Sequence, residues 1–451
     1  MTKFTNHILQ MQRYFRTGRT LDINFRCYYL KQLKKAVLEM QDDIVEALYK
    51  DFKKPAFETY TTEIYTTVSE INYMLKHLSK WTKGTVHGSV LPLIEGKTRV
   101  IPEPYGVTLI FSPFNYPFQL AMIPLVGALA AGNCAVIKPS EYTPYTNEVL
   151  QKIIKKVFPA YYVTLIEGDV ATCEALLEEP VDYIFFTGSP EVGKRVMSAA
   201  AKNLTPVTLE LGGKSPTIVD YDADIKLAAK RIIWGKCLNG GQTCIAPDYV
   251  LVHENIADEL ILEMTKILKK YYSSSKNMAH IINEMHYVRL LQLIDEDKVC
   301  YGGHFNTDEL YIEPTLLYPA SFQDMAMQDE IFGPILPIIP YKRIDEVIYQ
   351  INKRPKPLAC YIFSENQSRI QYLMKHISFG GGCVNDTILH VTQLEAPFGG
   401  VGHSGMGQYH GYHSFKTFSH EKTVLYSGKR EIPFRYPPYV SKLPFVKKII
   451  R

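Results

Sequence analysis

The sequence predicts an α/β protein made of two successive α/β units, the first a doubly wound parallel sheet of the nucleotide-binding type. Three observations carry that expectation. Between residues 107 and 211, short and nearly unbroken apolar runs alternate with helix-length segments; strands read this way when helices cover both faces of their sheet. The alternation starts afresh after Asp224. The length of 451 residues exceeds what one hydrophobic core ordinarily organises, so two or three domains are expected.

Taken in order, Leu30, Leu33, Val37, Met40, Ile44 and Leu48 recur at steps of three and four, which predicts one amphipathic N-terminal helix. A polar stretch near 84–100 precedes the change of pattern. The runs VTLIFS (107–112), CAVIK (134–138), YVTLI (162–166), DYIFF (182–186) and VTLEL (207–211) predict parallel strands. Helices are expected between them over 117–131, 144–157, 171–178 and 191–201. The second unit begins with a helix at 225–238, a strand at 249–253 and a helix at 257–271. It continues through 333–339 and 358–364 to a glycine-rich end near 407. YSSSKNMAHIIN (272–283) predicts a surface loop, and RYPPY (435–439) the end of regular structure.

Composition narrows the function classes. Hydrophobic residues make up 46% and charged residues 21%, which describes a soluble globular chain. A formal charge of +4 spread along this length leaves no nucleic-acid footprint. The eight cysteines form no CxxC pair and no metal-ligand spacing, so free thiols in a reducing cytoplasm and no bound metal are expected. The N-terminus lacks the apolar core of a signal peptide. The uncharged stretch Pro113–Ile137 holds Asn115, Gln119, Asn133, three prolines and two glycines, so it predicts a buried helix and a strand, not a membrane span. The tail VSKLPFVKKIIR is a short basic amphipathic end; a solvated terminus is expected, with peripheral contact to an anionic membrane left open.

Five motifs carry chemistry. FFTGSPEVGKR (185–195) turns from a strand into a helix through Gly188, Ser189, Pro190, Glu191, Val192 and Gly193. A helix N-terminus suits a pyrophosphate, although an ordinary strand-to-helix turn reads the same way. The near match to a P-loop fails, because Arg195 stands where the magnesium-binding Ser/Thr would be. VIKPSEYTP (136–144) places Lys138 and Glu141 past the carboxyl end of a strand, where ribose hydroxyls bind or where a solvated ion pair sits. LELGGKSP (209–216) sets Glu210 in an apolar run, where burial raises a carboxyl toward the range of a general base. SPFNYPFQ (112–119) sets Asn115 at a turn, as a helix cap or an oxyanion donor. In LNGGQTCIAPDY (238–249), Cys244 follows Gly240 and Gly241 and is a nucleophile or a small buried side chain. Nucleophile, base and oxyanion donor together are the parts of a covalent acyl-transfer cycle.

In this order, with IEPTLL, DEIFGPILPI, RPKPLA, PFGGVGHSGMGQYHG and FSHEK, the motifs resemble the aldehyde dehydrogenases, and most closely their class 3 branch, from about residue 20 to RYPPY. The resemblance implies a Rossmann-type NAD-binding domain (1–83 and 103–210) and a second α/β catalytic domain (211–419). It also implies a β-hairpin oligomerisation arm with a C-terminal tail (84–102 and 420–451), which makes a homodimer. By the same resemblance Cys244 is the nucleophile that forms a thiohemiacetal and then a thioester. Asn115 and the Cys244 N–H form the oxyanion hole, and Glu210 activates the hydrolytic water. Lys138 and Glu141 hold the adenosine ribose, 188–193 the pyrophosphate, and Glu330 and Phe332 the nicotinamide ribose and ring. The implied cofactor is NAD, with NADP open; the implied substrate is an aldehyde. Because the branch includes a staphylococcal enzyme that oxidises a carotenoid aldehyde, apolar, long-chain aldehydes are expected. A coenzyme-A-acylating relative and a non-enzymatic structural protein on the same fold are the alternatives. Three positions depart from the usual pattern. Gly240 replaces the Ala or Ser before GQ, which is expected to loosen the nucleophile loop. His280 replaces a common Arg, and 272–279 differs in sequence; both are expected on the surface, away from the chemistry.

Overall fold

The computed structural model of the protein describes residues 2–88, 96–430 and 435–449. The apolar runs of the first half pair as a six-stranded sheet in the order Gly405–Met406, Val207–Glu210, Tyr183–Thr187, Val107–Phe111, Cys134–Lys138, Val163–Leu165. Neighbours are parallel except the short edge strand Gly405–Met406, which runs antiparallel to Val207–Glu210. Every residue of Val107–Phe111 and Cys134–Lys138 is buried, which is why these runs lack polar alternation. Helix Gln119–Ala131 is buried along its whole length. Helices Pro144–Val157 and Pro190–Ala201 match the expected segments to within a residue. Among the described residues no helix is long and apolar enough to cross a membrane.

The second half forms a seven-stranded sheet in the order Val299–Tyr301, Thr315–Leu317, Ile335–Tyr341, Tyr249–His253, Pro216–Val219, Ala359–Phe363, Gly381–Val384. It is parallel apart from the antiparallel edge strand Val299–Tyr301. The first sheet directs the carboxyl ends of its strands at loops carrying the motifs, as open α/β sheets do, whereas Cys244 and Glu330 precede strands Tyr249–His253 and Ile335–Tyr341 and so lie on the amino-end side of the second sheet. A third, three-stranded antiparallel sheet joins Thr85–His87, Lys97–Pro104 and Ser419–Tyr426, with Ser419 opposite Pro104 and Tyr426 opposite Lys97. The expected arm lies on this sheet in part. Its residues 89–95, 431–434, 450 and 451, like Met1 of the first domain, lie outside the described residues.

Four expectations need correction. The single amphipathic helix over 30–48 is two, Ile23–Glu39 and Gln41–Phe52, broken at Met40. The apolar spacing runs through the break because both helices bury their faces in one core, so periodicity alone does not register it. A further helix, Thr5–Arg16, precedes them. Regular structure does not end at RYPPY, since helix Leu443–Ile449 follows it. The segment 272–283 is a surface loop only in its first half: Met278, Ala279, His280, Ile281 and Ile282 are buried. Its apolar residues pack beneath the nucleophile turn, so His280 and its neighbours are not on the substrate-domain surface.

Candidate active site

Cys244 follows a tight turn over Leu238–Gly241 in which Asn239, Gly240 and Gly241 take φ of 57°, 64° and 75°. Glycine enters this left-handed region freely and Asn tolerably, so the residue types match the backbone. Gly240 does not loosen the loop. A Cβ there would stand 2.6 Å from the main-chain oxygen of Ala279, so the glycine lets the turn lie directly on the buried 278–282 segment.

Side-chain amides lock the turn. Gln242 Nε2 donates to the carbonyls of Asn239 (3.1 Å) and His280 (2.9 Å), and its Oε1 accepts from Ile282 N–H (3.0 Å). Asn239 Nδ2 donates to the carbonyls of Asn115 (2.8 Å) and Gln242 (3.1 Å). Asn115 Nδ2 donates to the Gln242 carbonyl (3.0 Å). A primary amide has two N–H bonds, so Asn115 keeps one for a developing oxyanion. The capping alternative for Asn115 does not hold. The helix begins at Gln119, whose N–H is accepted by Glu63 Oε2 at 2.8 Å.

Glu210 ends its strand, and its main-chain oxygen accepts from Gly188 N–H (3.0 Å), which ties the acid to the phosphate-type turn. Both of its carboxylate oxygens are buried without a partner among the described residues. Desolvation therefore holds its pKa well above the ordinary 4.5. Burial likewise raises the Cys244 thiol, and the neighbouring acids Glu330 and Glu210 push it the same way, against the N–H groups of Cys244 and Ile245.

Glu330 lies against Gly212 and Gly213; a side chain at Gly212 would collide with its carboxylate. Burial and Asp248 raise its pKa to about 8, against Gly213 N–H, Lys214 and Lys236. Asp248 holds this loop, accepting from Ile331 N–H at 2.9 Å and pairing with Lys214. Lys214 also donates to the carbonyls of Ala326 and Asp329, each at 2.8 Å. Phe332 has φ of 54° and meets Phe114 edge-on at 5.7 Å, which joins its loop to the Asn115 turn.

At the far end, Ser189 Oγ accepts from Val192 N–H (3.3 Å) to begin helix Pro190–Ala201, and Gly193 N–H bonds the Ser189 carbonyl (2.9 Å). A Cβ on Gly188 would strike the Phe186 ring, and one on Gly193 would strike Leu211, so both glycines allow close helix–strand packing. Glu191 is exposed and pairs with Arg195 (2.9 Å). Lys138 is buried, not a solvated ion-pair member: Nζ bonds the Pro139 carbonyl (2.9 Å) and the half-exposed Glu141 (3.3 Å). A dinucleotide fits this edge. Ser112 Oγ and Thr187 Oγ1, just beyond or at the ends of adjacent parallel strands, are buried without partners among the described residues. Buried hydroxyls are ordinarily bonded, so these two are available to a ligand.

The structure therefore brings Cys244, Asn115, Glu210 and Glu330 to one region and spreads Lys138, Glu141 and 188–193 along the first sheet's carboxyl edge. Sequence reasoning missed Asn239, Gln242, Asp248 and Glu58, whose Oε2 accepts from Asn239 N–H (2.9 Å). For Asn239 a signal existed, an Asn before two glycines, which favours positive φ. The others act across long sequence separations and left none.

The chain is 48% identical to 4,4'-diaponeurosporen-aldehyde dehydrogenase of Staphylococcus aureus over 97% of both chains. It is 41% identical to the dimeric NADP-preferring aldehyde dehydrogenase of Mus musculus, over 98% of this chain and 100% of that one. The fold superposes on a substrate-bound Staphylococcus aureus AldH with a TM-score of 0.98, 46% identity and full coverage of both chains. It superposes on an NAD+ complex of a Bacillus cereus aldehyde dehydrogenase with a TM-score of 0.85 and 26% identity, covering 94% of this chain and 88% of that one. The aldehyde dehydrogenase family model matches residues 3–424, and the chain belongs to the aldehyde dehydrogenase family.

Proposed function

We propose that this aldehyde dehydrogenase converts an apolar, long-chain aldehyde to its carboxylic acid, with Cys244 as nucleophile and Glu210 as general base. One observation carries the reading: the Cys244 turn is bonded to Asn115 while a buried, unpartnered Glu210 carboxyl acts on the same thiol. Cys244 releases its thiol proton to solvent as Sγ adds to the aldehyde carbon, the C=O π bond opens, and the free Asn115 N–H and the Cys244 N–H receive the oxygen's charge. NAD or NADP, when bound, supplies the hydride acceptor. Loss of hydride leaves a thioester on Cys244. Glu210 takes a proton from water, whose oxygen attacks the thioester carbon; the C–S bond breaks, the acid leaves, and the proton held by Glu210 returns to the Cys244 sulfur.

Lys138, Glu141, the 188–193 turn, Glu330 and Phe332 would hold the cofactor, and the half-exposed Glu141 carboxylate favours NAD over a 2′-phosphate. The domain roles follow, with 1–83 and 103–210 binding cofactor and 211–419 carrying the nucleophile. The mouse relative's dimer and the exposed three-stranded sheet support a homodimer through the arm. Free cysteines throughout the described residues support a cytoplasmic location. The carotenoid-aldehyde relative supports the apolar substrate class. Water, not coenzyme A, takes the acyl group, because a general base stands ready.

Rapid mixing with NAD and a long-chain aldehyde tests this. Glu210→Gln should keep the first burst of NADH while steady-state turnover falls about 100-fold or more. Undiminished acid formation by that variant would eliminate Glu210 as the base.

A further inference from the structure

Behind the site lies a buried set of charges that the proposed reaction does not use. Lys54 and Glu63 are both fully buried and pair at 2.7 Å. Glu58, on the helix Ala56–Thr59 between them, is raised to about 7, chiefly by burial. The three side chains come from one short segment that contains a π-helical turn, Tyr60–Ile64. Such turns are rare and frequently accompany functional sites, because the extra residue re-aims a side chain.

This segment grips both catalytic turns. On the Asn115 side, Glu63 Oε2 accepts Gln119 N–H (2.8 Å), closing the free N-terminus of the helix that follows. Lys54 Nζ lies 4.0 Å from the ring centre of Tyr116, the residue after Asn115. On the Cys244 side, the Tyr116 hydroxyl bonds Thr243 Oγ1 (2.8 Å), one residue before the nucleophile. Glu58 Oε2 accepts Asn239 N–H (2.9 Å), in the turn whose amide holds Asn115. Buried ion pairs add little net stability relative to well-packed apolar side chains, and in some proteins they serve to specify one arrangement over others. Here the pair and Glu58 together bridge the Asn115 and Cys244 turns.

We propose that Lys54, Glu58 and Glu63 form a positioning unit that sets the Cys244 turn against the Asn115 amide, so that segment 54–63 governs the chemical step without touching substrate. The inference rests on Cys244 as nucleophile.

The test compares Lys54→Met, Glu63→Gln, Glu58→Leu, Glu58→Gln and the double variant Lys54→Met/Glu63→Leu. For each, thermal midpoint, kcat, KM for NAD and the iodoacetamide alkylation rate of Cys244 across pH are measured. Misplacing reacting groups by about 1 Å costs on the order of 100-fold in rate. The expected result is a kcat lower by about 10- to 100-fold in Lys54→Met, Glu63→Gln and Glu58→Leu, with KM for NAD unchanged. Glu58→Gln, which still offers an acceptor oxygen to Asn239 N–H, should recover most of the activity. The double variant should regain thermal stability but not kcat, and its Cys244 alkylation profile should stay displaced from wild type. A double variant that recovers kcat together with stability would overturn the inference and reduce the pair to packing. So would single variants with wild-type kcat and alkylation. If the single variants do not fold, the double variant and Glu58→Gln decide. Alkylation reads Cys244 directly, without turnover. Activity surviving in Cys244→Ala would instead defeat the reading of the nucleophile itself.

Discussion

The replacement Gly240→Ala restores the residue type expected before GQ, and pattern alone would suggest that it tightens the loop. The structure predicts the opposite. An L side chain at φ of 64° is disfavoured by about 1–2 kcal/mol. The new methyl would also stand 2.6 Å from the Ala279 carbonyl oxygen, a main-chain atom with little freedom to retreat. That oxygen belongs to the segment gripped by Gln242 through His280 and Ile282, so displacing it strains the turn from both ends. Restricting the unfolded chain returns only about 0.4–1 kcal/mol. The net expectation is a loss of about 1–3 kcal/mol and, because Cys244 is four residues away, a kcat lower by about 10-fold. Thermal unfolding with and without NAD, together with single-turnover kinetics, measures both. A variant that melts at or above the wild-type temperature with undiminished kcat would refute the packing argument.

Two further outcomes follow from charge. Glu330 raises the Cys244 thiol, so Glu330→Gln should lower it, shift the iodoacetamide profile toward lower pH and speed alkylation near neutrality; an unchanged profile would show that Glu330 does not act on the thiol. Glu70 is buried, accepts from Gly411 N–H (2.8 Å), and is raised by desolvation from 4.5 to about 7. A carboxyl raised in the folded state stabilises it fully below pH 4.5 and loses that contribution as pH rises through about 7. Glu70→Gln should therefore be less pH-sensitive in thermal stability across that window, and equal slopes for variant and wild type would contradict the assignment.

The relation between sequence and structure differs from element to element. Strand Cys134–Lys138, helix Pro144–Val157 and strand Tyr249–His253 were legible to the residue, because each is bounded by Pro, Gly or Asn and filled with one period of apolar side chains. Helix Gln119–Ala131 was legible in place, although its uniform burial hides any face. The break at Met40 was not, since an apolar period continues through a change of helix axis when both helices share a core.

The candidate site divides in the same way. The sequence by itself nominated the candidate residues: Cys244, Glu210 and Asn115 stand in short local motifs, beside glycines whose type is dictated by backbone shape. Only the tertiary structure decided what holds those residues in register. Asn239 reaches Asn115 across 124 positions, Gln242 clasps a segment 38 residues on, and Glu58 accepts an N–H 181 residues away. Hydrogen bonds act over about 3 Å of space whatever the separation along the chain. Partners of that kind leave no periodic trace in sequence, and folding alone brings them together.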